Sequence, residues 1–495
     1  MEQALEVAEK LITKTAPSGH GSVSHCEHKA PIPSRNQRER SLGFFRSLFS
    51  LFVQRISPPF QPSDSLLSLF STSPISLPSR RFKPFFAASN RLPHHARMAS
   101  VPTLSFRDAR ACVIEQVARS FRAPAVDIVG LDCAAGRVLA EDMRADRDYP
   151  AAARSVRDGF ALRASETPGE LRVIGEVRAG EVFRDTVGAR EAVEIMTGAL
   201  VPGGADAVVM VEHVTREGDR VRIDRATKTG QFINPQGSEA RKGDVVLPAG
   251  TQLDYSSVAL LATIGVTRIP VFRKPHVALL ATGDEIVEPD EQPAEYQIRN
   301  SNVYSLAAQV ARAGGEASIL PVAKDDREST RIAVERGLSA DLLLLSGGVS
   351  AGKYDLVEIV LAELGAEFFF DRVLIQPGQP LVFGRARGKF FFGLPGNPAS
   401  TIVTFELFAR AALELLGGQK ESRLPIAHAI LATDFRHKTG LTRFLPASIV
   451  DGRLTPIPWQ GSSDVPALAR SNAFLVADAD REEWKAGETI GVLFK

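Results

Sequence analysis

The stretch best suited to chemistry runs from Asp341 to Asp355, where an apolar run leads into a glycine-rich loop. Leu342 to Leu345 is short and ends at a glycine break, which favours a strand buried on both faces of a parallel sheet. The loop would then lie at the carboxyl edge of that sheet, with a helix beginning near Asp355. Its small residues allow backbone N–H groups to approach a ligand, and the helix directs its positive end at an anion. The pattern predicts a phosphate-binding loop at Ser346, Gly347, Gly348 and Gly352, with an ordinary strand-to-helix turn as the alternative.

Acidic residues follow three of the predicted strands. Asp284 and Glu285 lie in the loop after Ala281, Asp325 and Asp326 form a pair, and Asp355 closes the glycine-rich loop. Carboxylates that converge near a phosphate suit Mg²⁺, a hard cation that a few carboxylates and substrate phosphates often hold together. Helix capping is the alternative, and it is favoured for Asp326 alone. The set predicts metal and phosphate chemistry.

Three further motifs carry candidate residues. In Leu394-Pro-Gly-Asn-Pro398, Asn397 can cap a helix and Pro398 can occupy its first position, so that free N–H groups face an anion or only begin the helix. Asp158 stands beside a glycine in the run Arg154 to Ala161, and Thr197 lies in Met196-Thr-Gly-Ala199. Taken alone, the last two are unremarkable. None of the nine histidines has the spacing of metal ligands.

The elements around these motifs predict a multidomain α/β plus β protein. Ser105 and Asp108 form a capping box for a first helix, residues 141–250 carry short β-like runs, and a helix over 256–264 should return towards the first one. Residues 275–418 alternate strand and helix, as βαβ units do. The domains are predicted at 1–99, a disordered or non-native extension; 100–150 with 238–273, an elongated helical linker domain; 151–237, a β-rich domain; 274–422, an αβα sandwich with a mainly parallel sheet; and 423–495, a β-barrel-like domain.

Composition excludes several classes of protein. The chain of 495 residues has a net charge of +1, but residues 1–97 hold 13 Lys and Arg against 6 Asp and Glu, so the remainder is mildly acidic. This gives no support to nucleic-acid binding. No run reaches the roughly 18 to 20 apolar residues of a membrane span. Three cysteines without a disulfide or zinc pattern fit a reducing compartment, and we expect a cytoplasmic protein. The extension is expected to be dispensable or to precede the true start near Met98; a targeting role is less favoured.

In this order, the motifs resemble the molybdopterin molybdenumtransferase family, that is MoeA and the gephyrin E-domain, over about residues 101–495. Each motif is weak alone, but their order along the chain is specific. The matching runs are Ser155 to Ala161, Ile195-Met-Thr-Gly-Ala199, Ala281-Thr-Gly-Asp-Glu285, Ser346-Gly-Gly-Val-Ser350, Pro377-Gly-Gln-Pro380 and Gly393-Leu-Pro-Gly-Asn-Pro398.

The resemblance implies an enzyme of molybdenum cofactor biosynthesis. It would insert molybdate into adenylylated molybdopterin, with Mg²⁺-dependent hydrolysis of the adenylate and release of AMP. It would be a homodimer whose site lies between the αβα domain of one copy and the β-rich domain of the other, and its partners would include molybdopterin adenylyltransferase and molybdoenzyme acceptors.

The implied site has three groups of residues. Catalysis is expected at Asp158 and Thr197, and metal binding at Asp284, Glu285, Asp325, Asp355 and Glu239. Binding of the molybdopterin compound is expected at Ser346, Gly347, Gly348, Ser350, Arg372, Gln376, Pro395, Gly396, Asn397 and Pro398.

The chain also departs from the family pattern. Gln376 and Gln379 stand where many members carry lysine, and Arg372 occupies another commonly lysine position. Only Glu239 remains of an acidic motif after the β-rich domain, while Arg154 and Arg157 replace the usual Asn and Met around Asp158. These arginines could restore the lost charge from the second copy. The alternatives are a binding scaffold that kept the fold and, less well fitted, a nucleotide amidase. The sequence leaves open whether tungstate replaces molybdate.

Overall fold

The computed structural model describes residues 102–348 and 356–495. The predicted N-terminal extension lies outside these residues, as do Ser350, Gly352 and Asp355. The helices are α1 (Phe106–Arg119), α2 (Tyr255–Thr263), α3 (Asn302–Arg312), α4 (Arg327–Gly337), α5 (Leu356–Glu363), α6 (Pro398–Thr404), α7 (Arg410–Leu416) and α8 (Val465–Arg470). A π-helical segment, Phe405–Ala409, joins α6 to α7.

The strands fall into two halves of the chain. The first half contains β1 (Thr103–Leu104), β2 (Val126–Val129), β3 (Met143–Arg144), β4 (Arg154–Ser155), β5 (Gly159–Leu162), β6 (Gly169–Val177), β7 (Glu191–Ile195), β8 (Ala207–Met210), β9 (Val214–Glu217), β10 (Arg220–Ile223), β11 (Ile233–Asn234), β12 (Val245–Leu247) and β13 (Ile269–Phe272). The second contains β14 (His276–Ala281), β15 (Ile286–Val287), β16 (Ile298–Arg299), β17 (Glu316–Ile319), β18 (Leu342–Ser346), β19 (Glu367–Val373), β20 (Ile375–Gln376), β21 (Pro380–Ala386), β22 (Lys389–Leu394), β23 (Ile426–Leu431), β24 (Phe435–Arg436), β25 (Thr442–Val450), β26 (Arg453–Pro456), β27 (Ala473–Ala477), β28 (Glu483–Trp484) and β29 (Thr489–Phe494).

A seven-stranded sheet forms the αβα domain, in the order β1-β19-β21-β22-β18-β14-β17. The four strands from β22 to β17 are parallel, and β21 is antiparallel to both of its neighbours. Leu342 to Leu345 are fully buried, and successive leucines enter the cores on opposite faces of the sheet. Burial of each such side chain contributes about 1.5–3 kcal/mol. The continuous apolar run therefore gives a central strand covered on both sides, as predicted.

Helix α1 packs on this same sheet domain. Ser105 caps it, because its Oγ accepts a hydrogen bond from the Asp108 N–H at 3.2 Å and donates one to the Asp108 carboxylate at 2.7 Å. The buried face of α1 joins the core that contains Phe370, Phe408 and Leu413, and β1 pairs in parallel with β19. The assignment of α1 to the elongated helical domain is therefore corrected. Its apolar stripe matches the surface of α7 and β19, whereas α2 packs in a separate small core with Leu139 and Ile269.

Apart from the short parallel pair β15–β16, the remaining sheets are antiparallel or mixed and carry the predicted β-rich regions. A six-stranded sheet, β8-β5-β7-β6-β10-β9, forms the β-rich domain. In the C-terminal region β25 pairs with both β26 and β27, so that β25, β26, β23, β29 and β27 close into a five-stranded barrel. Short pairs β2–β13 and β3–β12 link the β-rich domain to the αβα domain. No helix in the described part of the chain is long and apolar enough to cross a bilayer.

Candidate active site

Three parallel strands end at one cleft. In the sheet, Ala281 of β14 lies opposite Ser346 of β18, which lies opposite Leu394 of β22. The loops that follow these strands therefore begin side by side, at the carboxyl edge where α/β sheets bind ligands. The cleft has a volume of about 400 Å³ and is lined by Ala281, Thr282, Glu285, Ile286, Ile298, Arg299, Asn300, Ser301, Asn302, Ser346, Gly347, Gly348, Pro380, Pro395, Gly396, Asn397 and Pro398. Eight of the predicted site residues belong to this set.

The glycines of the loop allow close contact between backbones. Gly347 has φ +90°, and a Cβ there would lie 2.9 Å from the carbonyl oxygen of Thr282. Gly348 has φ +65°, and a Cβ there would lie 2.7 Å from the Thr282 hydroxyl. A Cβ on Gly396 would lie 3.7 Å from the Cα of Gly347, so the second loop runs directly against the first. From the sequence, the small residues were interpreted as allowing a ligand to approach the backbone. In the structure they are also needed because the loops after β14, β18 and β22 are in direct contact.

Asn302, which sequence reasoning missed, joins the two loops. It is the first residue of α3, and its Nδ2 donates to the Ser346 hydroxyl at 2.8 Å and to the Gly396 carbonyl at 2.7 Å. Asn302 therefore fixes the loop after β18 against the loop after β22. A polar side chain at the start of a helix, just after a short strand, is the signal that the sequence offers, but it does not show which loops the side chain reaches.

Three buried polar atoms at the cleft have no hydrogen-bond partner within 102–348 and 356–495. They are Thr282 Oγ1, Asn300 Nδ2 and Asn302 Oδ1. Asn300 is 3% exposed and Thr282 is 6% exposed, so desolvation of their polar atoms has a real cost. Buried polar groups in native proteins almost always have partners, including ligands and ordered water. The cleft is thus polar at its floor and suited to a ligand with both donors and acceptors.

Some of the predicted acidic residues lie at or beside the cleft, and one caps a helix instead. Glu285 lines the cleft, and beside it Asp284 Oδ1 accepts a hydrogen bond from the Asp325 N–H at 3.4 Å. The loops that carry Asp284 and Asp325 are therefore in contact. Asp326 caps α4 by accepting from the Ser329 N–H at 2.8 Å, the structural role that was favoured for it. Among the described residues, no three His, Cys, Asp or Glu side chains form a group that could hold a metal ion.

The Pro395 to Pro398 loop begins the long helix as predicted, with one difference. Pro398 is the first residue of α6 and Asn397 is its N-cap, but the Asn397 side chain makes no capping hydrogen bond. Thr401 stabilises the turn instead, because its hydroxyl donates to the Pro395 carbonyl at 2.6 Å. The Asn397 side chain is a lining group of the cleft and does not hydrogen-bond to the helix end.

Two of the residues at the family's lysine positions lie outside the lining of the cleft. Arg372 is exposed on β19, where it pairs with Thr103 and Pro380. Gln376 is half-buried on β20, which pairs with β25 of the barrel. The same segment reaches the cleft only through Pro380.

Asp158 and Thr197 lie on the β-rich domain, Glu239 follows just after it, and none of the three lines the cleft of its own chain. The Thr197 N–H donates to Asp158 Oδ1 at 2.6 Å. This bond and one from the Thr197 side chain hold the pKa of Asp158 below its usual value. Glu239 accepts from Asn234 Nδ2 at 2.9 Å, and Asn234 pairs with Arg154. Asp158 and Thr197, the residues predicted for catalysis, are thus joined to each other at the surface, and the exposed Glu239 is linked through Asn234 to the strand pair that carries Arg154.

Comparison with known proteins covers nearly the whole described chain. Three family models match: MoeA N-terminal region (domain I and II) at residues 104–265, Probable molybdopterin binding domain at 278–415, and MoeA C-terminal region (domain IV) at 428–495. A molybdopterin molybdenumtransferase of Bacillus subtilis (strain 168) is 36% identical over 381 residues, which are 74% of this chain and 89% of that protein. One of Staphylococcus epidermidis is 34% identical over 377 residues, 74% of this chain and 90% of that protein.

A solved structure agrees in fold. The crystal structure of the molybdopterin biosynthesis moeA protein from Pyrococcus horikoshii OT3 superposes with a TM-score of 0.66 at 30% identity, over 80% of this chain and all of that one. The similarity in sequence includes both the αβα domain with its cleft and the β-rich domain with Asp158. The chain therefore belongs to the molybdopterin molybdenumtransferase family, enzymes of molybdenum cofactor biosynthesis.

Proposed function

We propose that this protein inserts molybdate into adenylylated molybdopterin, with hydrolysis of the adenylate and release of AMP. The observation that carries the proposal is the cleft beyond β14, β18 and β22, where Asn302 joins two loops and three buried polar atoms have no hydrogen-bond partner among the described residues. A ligand with a phosphate and a polar ring system supplies both the acceptors and the donors that such a floor needs. The proposed acceptor of the product is a molybdoenzyme, and the proposed compartment is the cytoplasm.

In this proposal the chain's own groups bind and orient the substrate. In the loop Ser346, Gly347 and Gly348, the Gly347 N–H already donates to the Leu394 carbonyl at 3.3 Å, so the Gly348 N–H is the group that we propose approaches the phosphate. Asn300 Nδ2 and Thr282 Oγ1 offer hydrogen bonds from the floor, while Pro395 and Pro398 limit the width of the cleft. Arg372, outside the cleft lining, would act on the anionic ligands through its charge, whereas the neutral Gln376 would act only by direct contact. Ser350 and Asp355 are proposed to act with this loop and lie outside the described residues.

The carboxylates fit the Mg²⁺ requirement in the manner typical of that ion. Asp284 and Asp325 lie in touching loops, Glu285 faces the cleft, and Mg²⁺ is commonly held by one or two carboxylates with the substrate's phosphate and water completing the shell. When bound, the ion would offset phosphate charge and polarise the phosphoanhydride. We propose that one or two of the carboxylates Asp284, Glu285 and Asp325 hold it, with the substrate's phosphate and water as the other ligands.

We further propose that the site is completed by a second copy of the chain. Asp158 and Thr197 are exposed, are hydrogen-bonded to each other and do not line the cleft of their own chain. In a homodimer the β-rich domain of one copy would bring them to the cleft of the other, together with Glu239 and the cations Arg154 and Arg157. Those cations would compensate for the lysines that Gln376 and Gln379 replace.

The test is molybdate-dependent release of AMP from adenylylated molybdopterin by the purified chain with Mg²⁺. Asp158→Asn should abolish release while lowering the unfolding temperature only slightly, because the Asn Oδ1 still accepts from the Thr197 N–H but without the carboxylate's charge. Asp158→Ala removes both the carboxylate charge and the hydrogen bond from the Thr197 N–H, so comparing it with Asp158→Asn separates the two effects.

The pH dependence of the assay gives a further check. Because the pKa of Asp158 is lowered, its carboxylate stays ionised between pH 5 and 8, and it should contribute no acidic limb to the pH profile of AMP release in that range. Release by wild type no faster than without protein would contradict the proposal.

A further inference from the structure

A second cavity opens at the opposite edge of the αβα sheet. It has a volume of about 660 Å³ and lies where β14, β18 and β22 begin, bordered by the ends of α1 and α7. The five residues of β18 span about 17 Å at roughly 3.3 Å per residue, so this cavity is separate from the cleft at the carboxyl edge. Its lining comprises Arg119, Ser120, Phe121, Arg122, Pro124, Arg273, Pro275, Asp341, Arg385, Gly388, Lys389, Phe390 and Leu416.

The lining carries more positive than negative charge. Five cationic side chains face one acidic side chain, Asp341. Counting the two other carboxylates that form ion pairs with the lining, Glu115 with Arg119 and Glu367 with Arg385, two positive charges remain unbalanced. The carboxyl ends of α1 and α7 contribute about half a negative charge each. After the two helix ends are also counted, about one positive charge of the cavity lining remains unbalanced. The cations therefore do more than neutralise the helix ends.

Asp341 fixes two of the cations in place. Its Oδ2 accepts from Arg273 Nη2 and from the His276 N–H, both at 2.9 Å, and its Oδ1 accepts from Lys389 Nζ at 3.2 Å. A guanidinium and an ammonium are thereby held on either side of one carboxylate. Arg385 is fixed in a similar way, because its Nη1 donates to the Ser120 hydroxyl at 3.1 Å and its Nη2 to Glu367 at 2.9 Å.

The other cations are available to a ligand. Arg122 is exposed and forms no ion pair within the part of the chain that the structure describes. The pair of Arg119 with Glu115 lies on the surface, with 67% and 56% of the two side chains exposed. Solvent-exposed ion pairs of this kind contribute little to stability, so a phosphate can replace the carboxylate as the partner of the guanidinium.

Apolar groups occupy the rest of the cavity. Phe121 is 41% exposed at its mouth, next to Pro124, and Phe390 and Leu416 lie deeper in the lining. A planar ring can stack on Phe121 while charged groups on the same ligand reach the arginines, which recognise phosphate through paired N–H groups. The combination of an aromatic wall and clustered guanidinium groups suits a ligand with one flat end and one polyanionic end.

We propose that this cavity is a second binding site, specific for a nucleoside polyphosphate. The phosphates lie against Arg122, Arg385 and Lys389, and the base stacks on Phe121. The site belongs to the amino edge of the sheet and does not depend on the activity proposed for the cleft.

The test is calorimetric titration of the full chain with ATP, inorganic pyrophosphate and adenosine. ATP should bind saturably, pyrophosphate more weakly, and adenosine at least about tenfold more weakly than ATP, because charge supplies most of the affinity. Arg122→Glu should weaken ATP binding about tenfold or more, and Arg385→Gln should weaken it less. Arg453→Glu, at an exposed position on the barrel, makes the same change in net charge and should leave binding unchanged.

A photoreactive 8-azido-ATP then locates the site. Wild type should be labelled within residues 119–124, and Arg122→Glu should lose this label. Asn302→Ala, altered in the other cleft, should keep it, so that nucleotide bound at the proposed active site is distinguished. No saturable binding by wild type, equal ATP affinity in Arg122→Glu, or labelling confined to peptides of the cleft would overturn the proposal. None of these experiments measures AMP release. The second binding site and the activity proposed for the cleft can therefore be disproved independently of each other.

Discussion

Asn302 is the residue on which the shape of the cleft depends most directly. Its Nδ2 bonds to Ser346 and Gly396 are the side-chain link between two loops that otherwise touch through glycine backbone. Asn302→Ala removes both donors and leaves the Gly396 carbonyl and the Ser346 hydroxyl without this partner. Each hydrogen bond contributes about 1 kcal/mol, so we expect AMP release to fall about tenfold or more, with a lowered unfolding temperature.

The control for this prediction is Asn302→Asp, which keeps the shape of the side chain and replaces the donor by an acceptor. It should be at least as impaired as the alanine variant, because a carboxylate repels the Gly396 carbonyl and an anionic substrate alike. Gln297→Ala removes a side-chain amide outside the cleft lining and should leave AMP release unchanged. If Asn302→Asp retained full activity, the two bonds would not determine the geometry of the cleft.

For single residues, the sequence predicted which side chains belong to the site better than it predicted their hydrogen-bond partners. The small residues Ser346, Gly347 and Gly348 were identifiable because glycine allows positive φ and close approach. Asn302 was not, because its role depends on a loop 94 residues further along the chain. The capping function of Asp326 was foreseeable since it needs only local geometry.

Strand β5 brings Asp158 to the surface, and its first residue has no room for a side chain. A Cβ on Gly159 would lie 1.9 Å from the carbonyl oxygen of Val209 in β8. Gly159→Ala should therefore separate β5 from β8, lower the unfolding temperature and displace Asp158, with loss of AMP release. Gly203→Ala is the matched control in the same domain, because the nearest atom to its Cβ is 3.8 Å away and its φ is not positive. Equal stability of the two variants would contradict this account.

Helix α2 is capped by a carboxylate whose ionisation should be measurable. Asp254 accepts from the Ser257 N–H at 2.7 Å and from the hydroxyls of Ser256 and Ser257, which lower its pKa from 3.8 to about 2. A pKa lowered on folding stabilises the protein above the unfolded-state pKa, and this contribution is lost as pH falls from about 4 to about 2. Wild type should unfold at a higher temperature than Asp254→Asn above pH 5, and this difference should shrink below about pH 4. If the difference in unfolding temperature between wild type and Asp254→Asn did not change with pH, the charge of Asp254 would not stabilise the helix.

The elements themselves were predictable where their patterns are local. The strand over Leu342 to Leu345 and the helix cap at Ser105 are both present in the structure. The helix expected over 256–264 lies at Tyr255–Thr263, and the helix that Pro398 begins continues into a π-helical turn. Periodicity does not fix such ends or the register of a helix. The position of α1 could not be read either, because an apolar stripe does not specify which surface it covers.

The whole molecule separates the proposed substrate-binding and catalytic groups onto two domains. The cleft belongs to the αβα domain, and Asp158 with Thr197 belongs to the six-stranded sheet of the β-rich domain. The two groups were both predicted from sequence, but the sequence of a single chain does not say whether they meet. A symmetric dimer can join them twice, once in each shared site.

Mixed dimers test this arrangement. Asp158→Asn removes the proposed catalytic carboxylate, and Gly347→Ala disturbs the loop of the cleft, because its Cβ would lie 2.9 Å from the Thr282 carbonyl. Each variant alone should be inactive. Co-expressed with different affinity tags and purified as the mixed dimer, they should release AMP at about half the wild-type rate, since one of the two shared sites combines an intact cleft with an intact Asp158. If both groups acted within one chain, neither subunit would be complete and the mixed dimer would stay inactive. A wild-type chain that elutes as a monomer at assay concentration would contradict the shared site directly.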